Sequence, residues 1–130
     1  MVPISVTGPT GIRRTAWFLI DTGADCSMLT AELAGATGLE LVPVAPEISL
    51  TGLGGVVSYS RADCTLRFTT TEGEPVAVPS RYAVGAPGVA DSPILGYDLL
   101  RHFDLILSRN QGPILLLIDE DGYALTSKGV

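Results

Sequence analysis

The residues best suited to chemistry lie in the stretch FLIDTGADCSML at positions 18–29. An apolar run ends there on the carboxylate of Asp21, which Thr22 and Gly23 follow. An ionised carboxylate at the end of a buried strand is costly to desolvate unless hydrogen-bond donors reach it. The Thr22 hydroxyl and the unhindered backbone at Gly23 can supply such donors. Asp21 is therefore a candidate catalytic acid, and the alternative is a carboxylate that only caps the turn after a strand.

The glycine cluster GLGGVV is the next candidate for a binding site. Gly52, Gly54 and Gly55 lack the third glycine of a dinucleotide fingerprint, because Val57 stands in its place, and no Gly-Lys-Ser/Thr follows. Neither kind of phosphate-binding loop is therefore predicted. The extended residues on both sides of the glycines instead predict a projecting hairpin with a flexible tip over residues 49–58.

His102 is the single histidine of the chain, so a multi-histidine metal site is excluded. A triad of His102 with Ser27 or Ser108 stays open, although no nucleophile-elbow motif supports it. The position of His102 just after a predicted short helix favours a surface or capping role. The spacing of Cys26 and Cys64 fits neither a metal site nor a redox motif, which predicts free, buried thiols in a reducing compartment.

Composition limits the remaining possibilities. With 130 residues, of which 46% are hydrophobic and 17% charged, the chain is predicted to be one domain over residues 1–130. A formal charge of -6, with no basic cluster larger than Arg13 and Arg14, argues against a nucleic-acid partner. The N-terminus has no signal-peptide pattern, and the apolar run at 114–118 is far too short for a membrane span. We therefore expect a soluble, cytoplasmic protein without a nucleic-acid or membrane partner.

The elements that must position these residues are mostly strands. Short segments rich in Val, Ile, Leu, Thr, Phe and Tyr alternate with Gly, Pro and Asp, which is typical of strands joined by turns. In the segment CTLRF, Cys64, Leu66 and Phe68 share one face. A small barrel or sandwich is therefore predicted. Its hairpins pair residues 3–7 with 12–20 and 62–70 with 75–84, and further turns lie at 109–112 and at Asp121-Gly122.

Two short helices are predicted between the strands. One spans residues 30–36, with Thr30 as its N-cap and Gly35 or Gly38 as its stop. The other covers residues 97–102 after Gly96. Neither is long enough to form a layer of its own, so the predicted fold class is all-β with one or two short helices.

Three segments together resemble a known family: FLIDTGAD, SLTGLGGVVSYS and SPILGYDLLRHFDLIL, which begin at residues 18, 49 and 92. A DTGA loop, a glycine-tipped hairpin and an apolar-apolar-Gly segment with a short helix occur in this order in the retropepsins, the single-lobed aspartic proteases of retroviral type. The resemblance extends over residues 3–118. Its last part is more similar to the protease-like domain of ubiquitin-shuttle proteins and to bacterial relatives than to viral enzymes.

The resemblance implies both a fold and a mechanism. Retropepsins are closed, mainly β barrels with one lobe per chain, and they dimerise so that each lobe gives one DTG loop to a shared active site. One DTG in this chain then implies a homodimer, in which two Asp21 carboxylates activate a water to hydrolyse a peptide bond. The implied substrate is an extended polypeptide, and no metal or organic cofactor is implied.

Residue roles can be carried over position by position. Thr22 would link the two loops across the twofold axis, and Gly23 would offer backbone to the substrate beside Asp21. Ala24 and Asp25 would help to hold the peptide main chain. The hairpin at 49–58 would be a flap that closes over the peptide, with Gly52, Gly54 and Gly55 at its tip. The candidates for apolar pocket walls, each of which equally suits an ordinary core position, are Leu53, Val56, Ile94 and Leu95.

Two features depart from the family pattern. Viral members usually place Arg after the glycine that Gly96 matches, and this Arg pairs with the carboxylate at the position of Asp25. Tyr97 stands there in this chain, so that ion pair is absent and the role of Asp25 is open. The chain also continues past the expected last strand, and residues 114–118 and 123–126 are predicted to form a hairpin that builds, blocks or lies outside the dimer interface.

The alternative function is a catalytically inactive peptide-binding or dimerisation module with the same fold. A third possibility is a protease domain held inactive in a longer precursor. The intact DTGA sequence favours the enzyme, because a binding module has no need of an acid at this position.

Overall fold

The computed structural model describes residues 1–43, 50–52, 55–57, 59–69, 75–108, 112–117 and 124–126. Within these ranges the chain consists of strands with two short helices between them, in agreement with the all-β class. The elements in chain order are β1 (Val2–Thr7), β2 (Arg13–Ile20), β3 (Met28–Leu29), α1 (Ala31–Ala36), β4 (Val42–Pro43), β5 (Leu50–Gly52), β6 (Gly55–Val57), β7 (Tyr59–Thr69), β8 (Pro75–Gly85), β9 (Ile94–Leu95), α2 (Tyr97–Leu100), β10 (Phe103–Ser108), β11 (Gly112–Leu117) and β12 (Ala124–Thr126).

The predicted closed barrel is observed. The strand order around it is β1-β2-β9-β3-β8-β7, and β7 pairs again with β1. The hairpin pairs β1–β2 and β7–β8 are antiparallel, whereas β2–β9 and β3–β8 are parallel. Closure gives each of these strands a hydrogen-bonded neighbour on both sides, which removes the unpaired edges of an open sheet. The short strand β4 lies beside β7.

Both long hairpins lie where the sequence predicts them. β1 pairs with β2, and β7 pairs with β8 along the full eleven residues of each strand. In the first turn, Gly11 has a φ of 87°, a left-handed conformation that glycine adopts without steric cost, and its N–H donates to the Gly8 carbonyl at 3.0 Å. The turn predicted at 71–74 lies outside the described residues.

The hydrophobic core fills the barrel. Alternate residues of β1 and β7 point inward, as the two-residue period of a strand requires. Cys64, Leu66 and Phe68, which were predicted to share one face, are all buried. Phe68 packs against Phe103 of β10 with ring centroids 5.5 Å apart, so the core also holds the start of β10. The core cluster comprises Val2, Ile4, Val6, Phe18, Leu29, Leu33, Ala34, Ala62, Cys64, Leu66, Phe68, Tyr82, Val84, Leu95, Leu99, Leu100 and Phe103.

The helix α1 begins and ends where the sequence predicts. The Thr30 side chain accepts a hydrogen bond from the Leu33 N–H at 3.1 Å, which is the expected N-cap. Of the two predicted stops, Gly35 lies inside the helix, whereas Gly38 follows the C-cap with a φ of 66°. The Gly38 N–H donates to the Gly35 carbonyl at 3.2 Å and the Leu39 N–H to the Ala34 carbonyl at 3.0 Å, which is a glycine C-cap. The buried Thr37 hydroxyl also donates to the Leu33 carbonyl, at 2.8 Å.

The helix α2 is shorter than predicted. It ends at Leu100, and Arg101 and His102 form a turn in which their N–H groups donate to the carbonyls of Tyr97 and Leu99, both at 3.0 Å. The side chains of Leu99 and Leu100 are buried and hold the helix against the barrel. His102 is exposed, as expected for a surface residue.

The glycine-rich segment forms the predicted hairpin. β5 and β6 pair in antiparallel fashion, with Gly52 opposite Gly55. The residues between them, Leu53 and Gly54, lie outside the described residues.

The tail contributes a separate three-stranded sheet. β10, β11 and β12 are antiparallel, and Ile114 of β11 lies opposite Thr126 of β12. The hairpin predicted for the tail is therefore present, although its turn at Asp121-Gly122 lies outside the described residues. Among the residues that the structure describes, no helix is both long and apolar enough to cross a membrane.

Leu66→Ala is expected to lower the free energy of unfolding by about 2–5 kcal/mol, because removal of a core side chain leaves a cavity. Leu66 is 0% exposed, whereas Leu41 is 45% exposed. The same change at Leu41 is therefore expected to stay within about 0.5 kcal/mol of the wild type. Urea unfolding followed by circular dichroism measures both variants. Equal destabilisation by the two would contradict the assignment of the core.

Candidate active site

Asp21 lies at the carboxyl end of β2, where this strand runs parallel to β9. The Leu19 N–H donates to the Pro93 carbonyl at 2.9 Å, and the Asp21 N–H donates to the Leu95 carbonyl at 3.0 Å. The backbone of Asp21 is thus part of the barrel, while its side chain is partly exposed. The pairing of β2 with β9 therefore fixes the position of the Asp21 backbone.

The residues after β2 turn back on Asp21. The Gly23 N–H donates to Asp21 Oδ1 at 3.0 Å, and the Ala24 N–H donates to the Asp21 carbonyl at 3.2 Å. A side-chain oxygen that accepts from the backbone two residues later forms an Asx turn. The donor predicted at Gly23 is therefore present, and it orients the carboxylate. The Thr22 side chain is exposed.

The loop continues along the segment that follows β9. The Tyr97 N–H donates to the Ala24 carbonyl at 2.8 Å, and the Asp98 N–H donates to the Asp25 carbonyl at 3.1 Å. The Asp21 N–H is bonded to β9, and the carbonyls of Ala24 and Asp25 are bonded to the residues just after β9. The loop is therefore attached to residues 95–98 at its start and again after Asp21. The loop is thus fixed by backbone hydrogen bonds, which do not depend on side-chain rotamers.

At Gly96 the backbone of the segment after β9 packs directly against the loop. A Cβ atom built there would lie 2.6 Å from both the carbonyl carbon and the carbonyl oxygen of Cys26, and 2.9 Å from the Ser27 nitrogen. These are backbone atoms, which cannot rotate away as the end of a side chain could. Glycine at this position is therefore what allows the loop and the segment to pack backbone against backbone.

A side-chain network reinforces this contact. Asp98 Oδ1 accepts from the Ser27 N–H at 2.8 Å, from the Ser27 hydroxyl at 2.7 Å and from the Leu99 N–H at 2.9 Å. Ser27 Oγ in turn accepts from the Gly96 N–H at 2.9 Å. Ser27 is 1% exposed, so its polar groups are satisfied inside the protein. This arrangement excludes Ser27 as an accessible nucleophile for His102.

The sequence indicates Ser27 only as a possible triad partner of His102, and it gives no role to Asp98. They are 71 residues apart, and no local pattern joins them. Their placement is the feature that could have indicated their role. Ser27 directly precedes the apolar pair of β3, and Asp98 directly precedes the apolar pair of α2. A polar residue next to buried apolar ones needs a hydrogen-bond partner, but the sequence does not say which.

Position 97 differs from the viral pattern as expected. Tyr97 is 60% exposed and offers no cation to Asp25, which is also exposed. Across the described ranges, ion pairing is confined to Arg81 and Asp63, at 2.9 Å. The Asp25 carboxylate therefore has no cationic partner in this part of the chain, and its backbone is held by Asp98 instead.

The two thiols are not activated. Burial, and then the charges of Asp98 and Asp25, raise the pKa of the Cys26 thiol, and burial raises the pKa of Cys64 to about 11. Both cysteines are free, as predicted, but only Cys64 is fully buried, while Cys26 is half-buried. Protonated thiols are poor nucleophiles, so neither cysteine competes with Asp21 as a reactive group.

The structure joins two of the three predicted segments directly. The loop after β2 lies beside β9, where Ile94 pairs with the end of β2 and is half-buried. Leu95 is 0% exposed and belongs to the core, which is the alternative that the sequence left open, so in the single chain it offers no surface to a peptide. The third segment, which contains Gly52, Gly55 and Val56, is the β5–β6 hairpin.

Comparison with known proteins agrees with this architecture. A family model described as aspartyl protease matches residues 2–99, which include the loop after β2, the β5–β6 hairpin and β9. Among solved structures, the chain is similar to the EIAV protease complexed with the inhibitor HBY-793, with a TM-score of 0.54 and 22% sequence identity. The match covers 77% of this chain and 83% of the EIAV chain. No curated protein matches the chain.

The closed barrel with two short helices thus has the fold of a retroviral protease, and the class that the fold defines is retropepsin-like. The family match covers most of the chain. This chain belongs to the aspartyl protease family, as the resemblance of its DTGA, hairpin and Ile-Leu-Gly segments implies.

Gly96→Ala is expected to lower the free energy of unfolding by about 1–3 kcal/mol, because the new methyl group forces the Cys26 backbone away. Gly35→Ala is the matched control: a Cβ there meets nothing within 4 Å, and Gly35 lies inside α1. The control is expected to be neutral or to stabilise by up to about 1 kcal/mol. Chemical denaturation compares the two, and equal stability would contradict the close contact at Gly96.

Proposed function

We propose that this chain is an aspartic endopeptidase that works as a homodimer, with the Asp21 carboxylates of both copies as its catalytic pair. The observation that carries the proposal is the position of Asp21, which is held by an Asx turn at the end of β2 in a barrel of the retroviral protease fold. The chain has one DTG sequence. A twofold dimer brings the same residue to the axis twice, which supplies the second carboxylate.

The mechanism follows from the contact of two carboxylates. In aspartic proteases generally, two carboxylates in contact cannot both ionise cheaply, so they share one proton. The ionised member accepts a proton from a bound water, whose oxygen attacks the scissile carbonyl carbon. The protonated member donates a hydrogen bond to the carbonyl oxygen and stabilises the tetrahedral intermediate. Protonation of the nitrogen and cleavage of the carbon–nitrogen bond then release two peptides.

The substrate is proposed to be an extended polypeptide. Gly23, Ala24 and Asp25 would offer backbone groups to its main chain, and the half-buried Ile94 would form part of an apolar wall. The β5–β6 hairpin would close over the peptide and exclude water, which is the usual role of such a lid. The exposed Thr22 would meet its copy in the partner across the dimer axis.

Asp21→Asn is expected to lower peptide cleavage by at least about 10²–10⁴-fold, because the amide removes the general base. The amide oxygen can still accept from the Gly23 N–H, so the loop should keep its shape. The measurement is a digest of a peptide library at several pH values, with and without pepstatin. Asp63→Asn, at an exposed carboxylate on β7, is the matched control and should cleave like the wild type. Undiminished cleavage by Asp21→Asn would refute the mechanism, and a wild type that binds peptides but cleaves none at any pH would be a binding module.

The dimer is tested by mixing wild type with Asp21→Asn. In an equal mixture that exchanges subunits freely, half of the wild-type chains pair with the variant, so activity per wild-type chain should fall to about half. Mixing with an equal amount of an unrelated protein is the control. Activity per wild-type chain that does not change in the mixture would show that one chain suffices.

A further inference from the structure

The contact between Ser27 and Asp98 joins the two segments that flank the candidate acid. Ser27 ends the loop that begins at Asp21, and Asp98 is the second residue of α2. Three donors converge on Asp98 Oδ1: the N–H and the hydroxyl of Ser27, and the Leu99 N–H. The oxygen of the Ser27 hydroxyl also accepts a hydrogen bond from the Gly96 N–H. We call this set of hydrogen bonds between Ser27, Asp98 and Gly96 the Ser27–Asp98 clasp.

The clasp lies where it can hold the loop of Asp21 against the segment after β9. Shortly before Ser27, the carbonyls of Ala24 and Asp25 accept backbone hydrogen bonds from the N–H groups of Tyr97 and Asp98, at 2.8 and 3.1 Å. These bonds form only if Gly96 stays against the Cys26 peptide unit, and the bond from the Gly96 N–H to Ser27 Oγ holds it there. Loss of the clasp would therefore loosen the loop between its ends, which β2 and β3 still hold in the barrel.

The clasp lies at one end of the barrel, between the residue before β3 and the segment after β9. The long ladders of the barrel, β1–β2, β7–β8 and β1–β7, do not include the residues of the clasp and are far from Asp98 in sequence. Catalysis makes a stricter demand than folding, because a displacement of about 1 Å between reacting groups can cost about 10²-fold in rate. Groups that hold a catalytic residue must therefore themselves be locked by hydrogen bonds.

We propose that Asp98 and Ser27 are positioning residues, which act through the Asp98 Oδ1 acceptor to keep the loop of Asp21 in its productive geometry. Neither residue takes part in the chemical step. This inference rests on the proposed peptidase function for its kinetic test, and it has a structural test that does not need activity.

The kinetic test compares Asp98→Ala with Asp98→Asn. The alanine variant removes the acceptor for three donors, whereas the asparagine variant keeps an oxygen of the same shape at Oδ1. Asp98→Ala is expected to lower kcat by about 10²-fold with KM within about threefold, and Asp98→Asn should keep kcat within about tenfold of the wild type. Asp104→Ala, at an exposed residue of β10, is the matched control and should leave both constants unchanged.

A second variant tests whether the clasp acts as one unit. Ser27→Ala removes the hydroxyl that joins Asp98 to Gly96 and nearly keeps the volume of the side chain. It should lower kcat in the same way, and the double variant should be little worse than Asp98→Ala alone, because groups in one network are not additive. Fully additive losses would show two independent effects and overturn the clasp as a unit.

The structural test is amide hydrogen exchange on the Asp98→Ala and Asp98→Asn proteins. Exchange at Gly96, Tyr97 and Ser27 should be faster in the alanine variant and close to wild type in the asparagine variant. Amides of the β7–β8 ladder should keep their protection in both. Faster exchange throughout the barrel would assign Asp98 a general structural role and overturn the proposal.

The remaining outcomes separate this inference from the proposed function. If the wild type cleaves no peptide, the peptidase function fails, while hydrogen exchange still decides whether the clasp holds the loop. If the wild type cleaves and Asp98→Ala has the same kcat, or only a higher KM, the positioning role is refuted and the peptidase function stands. Equal impairment of Asp98→Asn and Asp98→Ala would refute action through the Oδ1 acceptor.

Discussion

The close contact between Gly96 and the peptide unit of Cys26 is the constraint on which the site depends. Two backbones can approach to this distance only where a side chain is missing. At that distance, the N–H groups after β9 reach the carbonyls of the loop after β2, and the loop acquires a fixed shape. The shape of the loop, in turn, determines where the Asp21 carboxylate lies.

The barrel brings the loop after β2 and the segment after β9 together. β9 is inserted between β2 and β3, the strands that precede and follow the loop. Parallel pairing of β2 with β9 places the ends of both strands at the same side of the sheet. The loop therefore leaves β2, contacts the segment after β9 and returns into β3, and it is anchored at each of these three places.

The surface next to Asp21 is polar with one large aromatic side chain. Thr22, Asp25 and Tyr97 are exposed around the loop. The loop is held by the backbone bond at Asp25 and by the contacts of Ser27 with Asp98, which do not require a charge at position 97.

The two long hairpins and the ends of α1 were predictable from the sequence. Glycine and proline interrupt β-branched and aromatic runs at short intervals, so both hairpins, the N-cap at Thr30 and the stop at Gly38 were found within a few residues. The order of strands around the barrel was not predicted, and α2 stops at Leu100, two residues earlier than predicted. Helix ends depend on which side chains are near enough to cap them, and that is a property of the folded chain.

The sequence by itself indicated the family, because the DTGA, the glycine-rich hairpin and the Ile-Leu-Gly segment are local patterns that together resemble it in their order. Only the tertiary structure decided which residues support the acid. Ser27 and Asp98 are 71 residues apart and meet because β9 is inserted next to the loop, and Leu95 is core because the parallel pairing with β2 turns its side chain inward. Hydrogen bonds between distant residues depend on the register of strands, and register is set by the packing of the whole barrel.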